Sequence, residues 1–274
     1  MRRRGACSHA AAVYPHVPVG AMTKRTAITL SLVSGVVLLM SIDQGRAVTG
    51  NAPSASGLAA RAIVMLVDER EDLCTATALS ADLVLTAAHC VAGPLKRAVK
   101  IYQTGQTIAV THVAQHPRFN FASYLASRAT ADVALVKLAA PLPDIIAPVT
   151  LAEPRRVAVG ETLTIAGFGV TKNGTPLGLG IPREAKLAVT GKPGSLQIRL
   201  IDPATLNKRP GLGGCTGDSG APAFETDAAG ALRIVGVVSW STAPNDEDGC
   251  GGLTGLTPLL IYRDWIVGTA KTLK

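Results

Sequence analysis

Aromatic residues are scarce in this chain, at 4% of 274 residues, although apolar residues as a whole make up 47%. Any core must therefore rest on Val, Leu, Ile and Ala. The apolar stretch Ala27–Ile42 falls short of the ~20 residues that span a bilayer, and Thr29, Ser31, Ser34 and Gly35 interrupt it. No Cys-x-x-Cys and no Cys/His cluster at zinc spacing occurs, so no metal is expected. No Gly-Lys-Ser/Thr follows a glycine-rich segment, which excludes a phosphate loop. No 20–50-residue repeat is present, which excludes solenoids. Basic runs interleaved with aromatics are missing too, so nucleic acid is not an expected partner.

The net charge of +8 is concentrated at the start of the chain. Arg2, Arg3, Arg4, Lys24, Arg25 and Arg46 against Asp43 give +5, which leaves +3 for the rest. Lys24 and Arg25 precede Ala27–Ile42, and Gly45 and Ala47 supply small residues at −3 and −1 of a cut after Ala47. This is the layout of a secretory signal. Residues 1–46 are therefore expected to be a leader. Met22 is its natural start, and residues 1–21 read as an over-extended one. The expected location is extracellular or periplasmic, with membrane contact only through an uncleaved signal. Cys7 lies in the leader. Cys74, Cys90, Cys215 and Cys250 remain, an even number in an oxidising compartment, with three pairings open.

Beyond residue 47 the chain reads as short apolar stretches between Gly, Pro, Asn and Asp. Expected strands are 62–67, 75–80, 83–87, 99–102, 108–111 and 133–137. A Pro-rich connector over 141–154 leads to a second set at 162–166, 185–189, 196–200, 232–239 and 253–256. The pattern predicts an all-β barrel or sandwich. Only the end reads as a helix. Thr257 is its expected cap and Pro258 its first turn, and Leu259, Tyr262, Trp265, Ile266 and Ala270 recur at helical spacing.

Three segments carry chemistry. In Gly214-Cys215-Thr216-Gly217-Asp218-Ser219-Gly220, a serine sits in a glycine-rich turn with room for a substrate carbonyl. The N–H groups of Gly217 and Ser219 are placed to face a developing oxyanion. A serine hydroxyl needs a base, and of five histidines His89, in Leu85-Thr86-Ala87-Ala88-His89-Cys90, ends an apolar strand beside a cysteine. Asp132 opens the apolar segment Asp132-Val133-Ala134-Leu135-Val136. A carboxylate there suits orienting an imidazole.

In their order His, Asp, Ser, these motifs resemble the trypsin/chymotrypsin family (peptidase family S1), over roughly residues 47–274. The resemblance implies two antiparallel six-stranded β-barrels with a C-terminal helix. The first spans about 47–145, the second about 155–257, and the helix about 258–270. It implies a serine endopeptidase with catalytic His89, Asp132 and Ser219, oxyanion donors Gly217 and Ser219, and no cofactor. Gly213, Gly214, Thr216, Ser239, Trp240 and Ser241 become the substrate-binding residues, with Ser239 touching Asp132. Cys74–Cys90 and Cys215–Cys250 become disulfides. Asp218 becomes the partner of a new α-amino group: Ala47 after a cut at Arg46, the favoured cut, or Val48 after a cut at Ala47. Partners are a polypeptide substrate and protein protease inhibitors, and a monomer is expected.

Departures bear on specificity. Gly213 leaves no charge where trypsin has an aspartate, and Ser241 and Ala221 replace glycines. A neutral pocket for small or medium apolar side chains is expected. The acidic run 246–248 argues for a basic preference instead. The rival from another class is a catalytically inactive binding protein on the same fold. An α/β-hydrolase is excluded because no histidine follows the serine. A subtilisin-like arrangement lacks the strand–helix alternation.

Overall fold

The computed structural model describes residues 48–191 and 196–273. The leader and Ala47 lie outside the described residues. The first barrel is built from β1 (Ile63–Asp68), β2 (Leu73–Ala78), β3 (Leu83–Thr86), β4 (Arg97–Lys100), β5 (Thr107–Gln115) and β6 (Ala134–Leu138). These pair in the order β1-β2-β3-β6-β5-β4 and close on themselves, antiparallel throughout.

A two-residue strand β7 (Thr150–Leu151) precedes the second barrel, formed by β8 (Thr162–Gly167), β9 (Arg183–Thr190), β10 (Ile198–Ile201), β11 (Pro222–Thr226), β12 (Leu232–Ser241) and β13 (Thr254–Pro258). Their order is β11-β8-β9-β10-β13-β12. The β11–β12 pairing closes the ring, and β7 adds parallel to β12. This is the chymotrypsin-like all-β fold.

Successive strand residues point to opposite faces. Val64, Leu66, Ala76, Val84, Val99 and Val136 fill the first barrel. Leu163, Ile165, Leu187, Val189, Leu200 and Leu256 fill the second. The alternate positions Ile63, Met65, Leu83, Leu85 and Leu135 join Phe168, Phe224 and Val237 in a third apolar layer shared by the two barrels. Several strands are thus buried on both faces, which is why they read as continuous apolar runs. Phe168 and Phe224, two of only four phenylalanines, are fully buried in that shared layer.

The end of the chain corrects one expectation. Thr257 and Pro258 close β13 instead of starting a helix. A 3-10 turn over Leu259–Tyr262 follows, then α3 (Arg263–Thr272). The expected face does turn inward: Leu259, Tyr262 and Ile266 are buried in the shared layer, with Trp265 and Ala270 packed against it. Two short helices were not legible, α1 (Gly57–Ala62) and α2 (Phe121–Leu125). Each is too short to show a helical period. Strand β11 was missed as well, because it opens on a proline directly after the glycine-rich turn. Among the described residues no helix is long and apolar enough to cross a membrane.

Candidate active site

His89 leaves the end of β3 in a one-turn 3-10 segment, His89–Val91. Its neighbour Cys90 is bonded to Cys74 of β2, with Cα atoms 6.2 Å apart across 16 residues. In the loop-entropy picture such a closure stabilises by about 3 kcal/mol. It pins the backbone that carries the imidazole.

Asp132 lies two residues before β6 and is 1% exposed. Its Oδ1 accepts the His89 backbone N–H at 2.9 Å, and its Oδ2 lies 2.8 Å from His89 Nδ1. The Ser239 hydroxyl donates to the same Oδ2 at 2.5 Å. A buried carboxylate thus holds three donors, which fixes the proton on Nδ1 and leaves Nε2 as the acceptor. Tyr124 of α2 stacks on the imidazole, centroids 4.2 Å apart and planes 11° from parallel.

Ser219 sits in the turn between Cys215 and β11. Thr75 of β2, which sequence reasoning missed, ties this turn to the first barrel. The Thr75 N–H donates to the Ser219 carbonyl at 2.8 Å, and its hydroxyl donates to the Gly217 carbonyl at 2.9 Å. The Thr75 hydroxyl also accepts from the Phe168 N–H at 3.1 Å. Nothing marks Thr75 in the chain except the cysteine before it.

The N–H groups of Gly217 and Ser219 have no acceptor among the described residues. The Ser219 hydroxyl is half-buried and likewise makes no hydrogen bond there, to His89 or to any other group.

The turn depends on Gly220. Its φ is +83°, and a Cβ there would lie 2.1 Å from the Thr75 carbonyl oxygen and the Thr86 hydroxyl. Gly220→Ala is expected to cost on the order of 3 kcal/mol through strain and overlap together. A urea-unfolding midpoint equal to that of the unsubstituted chain would contradict this backbone geometry. Ala221, by contrast, sits without conflict, 1% exposed in the second-barrel core.

Asp218 is fully buried. It accepts N–H bonds from Gly169 at 2.8 Å and Cys215 at 2.9 Å. Burial raises its pKa to about 7, partly opposed by those two bonds. No cation meets it among the described residues.

Gly213 and Gly214 are buried beside β13. The Gly214 N–H donates to the Thr254 hydroxyl at 2.8 Å, and a Cβ on Gly213 would stand 3.2 Å from the same oxygen. Thr254 pairs with Ser241 and Gly255 with Trp240. The Trp240 ring lies over Gly255, where any Cβ would overlap it. The fully buried Thr254 is thus the residue aimed at Gly213 and Gly214. The Ser241 hydroxyl donates to the Gly249 carbonyl at 3.1 Å. Thr216 is exposed, and its carbonyl accepts from Val170 N–H. Cys215 is bonded to Cys250. Asp246, Glu247 and Asp248 are exposed.

Among the described residues, the one His/Cys/Asp/Glu group close enough to share a metal ion is Cys74, His89 and Cys90. Both its sulfurs are spent in the disulfide, which leaves a single imidazole donor.

A family model described as Trypsin matches residues 48–266. The chain belongs to the trypsin family. It is similar to Transmembrane protease serine 9 of Rattus norvegicus, 27% identical over 74% of this chain but only 20% of that protein. It is also similar to snake venom serine protease rhinocerase 4 of Bitis rhinoceros, 26% identical over 75% of this chain and 81% of the other. A third relative, phenoloxidase-activating factor 3 of Holotrichia diomphalia, is 27% identical over 70% of this chain and 62% of its own length. The chain thus spans a fifth to four-fifths of these relatives. The solved atomic-resolution structure of HBP shares the fold, with a TM-score of 0.64 at 21% identity, covering 81% of this chain and 96% of that one.

Proposed function

We propose that this trypsin-family chain is an exported serine endopeptidase that cleaves peptide bonds through an acyl-enzyme. The observation that carries the reading is the buried Asp132 carboxylate bonded to His89 Nδ1 at 2.8 Å, which leaves Nε2 unprotonated to act as base; its neighbour at 3.7 Å, Cys90 Sγ, is a disulfide sulfur with no proton to donate. Ser219 attacks the carbonyl carbon and its proton passes to His89 Nε2. The Gly217 and Ser219 N–H groups, which have no acceptor among the described residues, stabilise the oxyanion. His89 then returns the proton to the leaving amine, and water repeats the sequence on the ester. No step calls on a cofactor. A fluorophosphonate probe tests the reading: stoichiometric labelling at Ser219 is expected, and an unlabelled folded chain would favour the inactive binding protein instead.

The specificity pocket is read as neutral and short. Gly213 carries no charge, Thr254 stands beside it, and the Ser241 hydroxyl is held by Gly249. Small and medium apolar side chains, such as Ala, Val and Leu, fit such a pocket at the residue before the cleaved bond. The exposed acidic run 246–248 offers a basic side chain only about 0–1 kcal/mol. In p-nitroanilide peptides varied at that residue, kcat/KM for Ala, Val and Leu should exceed that for Arg and Lys. Thr254→Ala should shift the preference toward larger apolar groups by about 1–3 kcal/mol. A dominant Arg or Lys would instead assign the acidic run the leading role.

Export through the leader suits the two disulfides. Polypeptides are the proposed substrates and protein protease inhibitors the proposed partners, with the chain acting as a monomer.

A further inference from the structure

We propose that Tyr124 is a positioning residue for His89, holding the plane of the imidazole and stabilising its protonated form. This rests on the peptidase reading above. One hydrogen bond at Nδ1 fixes a point on the ring, not a plane, so the imidazole can still tilt about it. Tyr124 supplies the plane, with its ring 4.2 Å away and 11° from parallel.

The loop that presents Tyr124 is closed on itself. Asn120 caps α2 by accepting from the Ser123 N–H at 2.7 Å, and its own N–H donates to the Thr130 hydroxyl at 2.8 Å. Thr130 lies two residues before Asp132, so the neck of the loop and the carboxylate share one anchor. Ser127, at φ +54°, turns the chain back, and its N–H donates to the Tyr124 carbonyl at 2.9 Å. Behind Tyr124, Phe121 stacks at 6.1 Å and Phe119 follows at 6.3 Å, so aromatic rings back the stack. A row of three rings, Phe119, Phe121 and Tyr124, thus ends on the His89 imidazole.

The phenol oxygen makes no hydrogen bond among the described residues, so the ring's place is set by its faces. Burial pushes its pKa up to about 12, with the Asp132 charge adding to the rise, so it stays a neutral phenol. A neutral aromatic face attracts imidazolium more than imidazole. The contact therefore strengthens as His89 takes the serine proton, a stabilisation realised in the transition state.

The test uses Tyr124→Leu, Tyr124→Ala and Tyr124→Phe in the full chain, processed as the unsubstituted protein. Steady-state kinetics are measured on two p-nitroanilide peptides, with Gly or Leu at the second residue before the cleaved bond. Leu and Ala are expected to lower kcat about tenfold on both substrates with KM within about twofold. Phe is expected to recover most of that loss, and fluorophosphonate labelling should slow in parallel. Unchanged kcat for Tyr124→Leu would overturn the proposal. So would an effect confined to KM or to the Leu-containing substrate, which would make Tyr124 only a wall of the groove. Tyr124→Leu also covers the case in which Tyr124→Ala fails to fold. A wild-type chain that ignores the probe would remove the peptidase reading itself, whereas a reactive wild type with an indifferent Tyr124→Leu removes this inference alone.

Discussion

Ser219→Ala should lower kcat by about 10⁶-fold while leaving the fold's stability within about 0.5 kcal/mol. The two halves of this prediction have separate causes. The lost oxygen is the proposed nucleophile, and neither His89 nor the oxyanion donors can replace it. The same oxygen makes no hydrogen bond among the described residues, so its removal leaves no buried partner unpaired. The tie to the first barrel survives, because Thr75 bonds the backbone carbonyls of Gly217 and Ser219, not the hydroxyl. Asp132→Asn should cost less, about 10⁴-fold, by presenting the wrong partner to Nδ1. Single-turnover hydrolysis with a urea-unfolding curve on each variant checks both. Turnover by Ser219→Ala near that of the unsubstituted protein would end the assignment.

The second large effect is expected at Asp218, where stability should depend on pH in opposite senses before and after N-terminal processing. In the uncut chain the carboxyl holds its proton to about pH 7, against 3.8 when unfolded, chiefly because it is buried. The folded state then binds the proton more tightly than the unfolded state. This contribution is fully present below pH 3.8 and is lost as pH rises through about 7, amounting to on the order of 4 kcal/mol at alkaline pH.

A free α-amino group beside Asp218 would reverse the sign. It would depress the carboxyl pKa, giving stability present above the unfolded value and lost on acidification. Val48 is fully buried and the Thr49 N–H donates to the Gly213 carbonyl at 3.2 Å, so the start of the described chain lies in the second barrel's core beside Gly213. A cut after Ala47 would put the charge on Val48, and the cut after Arg46 one residue further out. Urea midpoints at pH 5 and pH 8, with N-terminal sequencing of the active form, distinguish the cases. The uncut chain should be firmer at pH 5 and the processed chain relatively firmer at pH 8. The same pH slope in both would remove the α-amino pairing.

How far the site was legible follows from what each residue is for. The proposed triad His89, Asp132 and Ser219 could be picked out in the chain because each has a local setting that leaves a trace: a strand end beside a cysteine, an acid at the mouth of an apolar strand, a glycine-rich turn. Gly220 stands in the motif as one glycine among several, and only the structure shows that a φ of +83° against the Thr75 carbonyl demands glycine there. Thr75 left no trace. Its bond to Gly217 crosses 142 residues, and a threonine in a strand is otherwise ordinary. Tyr124 and Thr254 are of the same kind. Each acts through the group it faces, and the facing is fixed by a loop closure in one case and a strand register in the other.

The sequence by itself determined the strand-rich class, the chain order of the three motifs and the inward face of the C-terminal helix, since local pattern and spacing carry these. It did not show that Thr257 would remain in a strand, because a threonine before a proline satisfies a helix start and a strand end alike. Tertiary structure decided which residues meet. It closed the barrels, shared one apolar layer between them, set a phenol ring on the imidazole and turned Thr254 toward Gly213 and Gly214. The physical reason is that burial and backbone pairing are enforced by the whole fold, while a segment's own residues fix only its period and its turns.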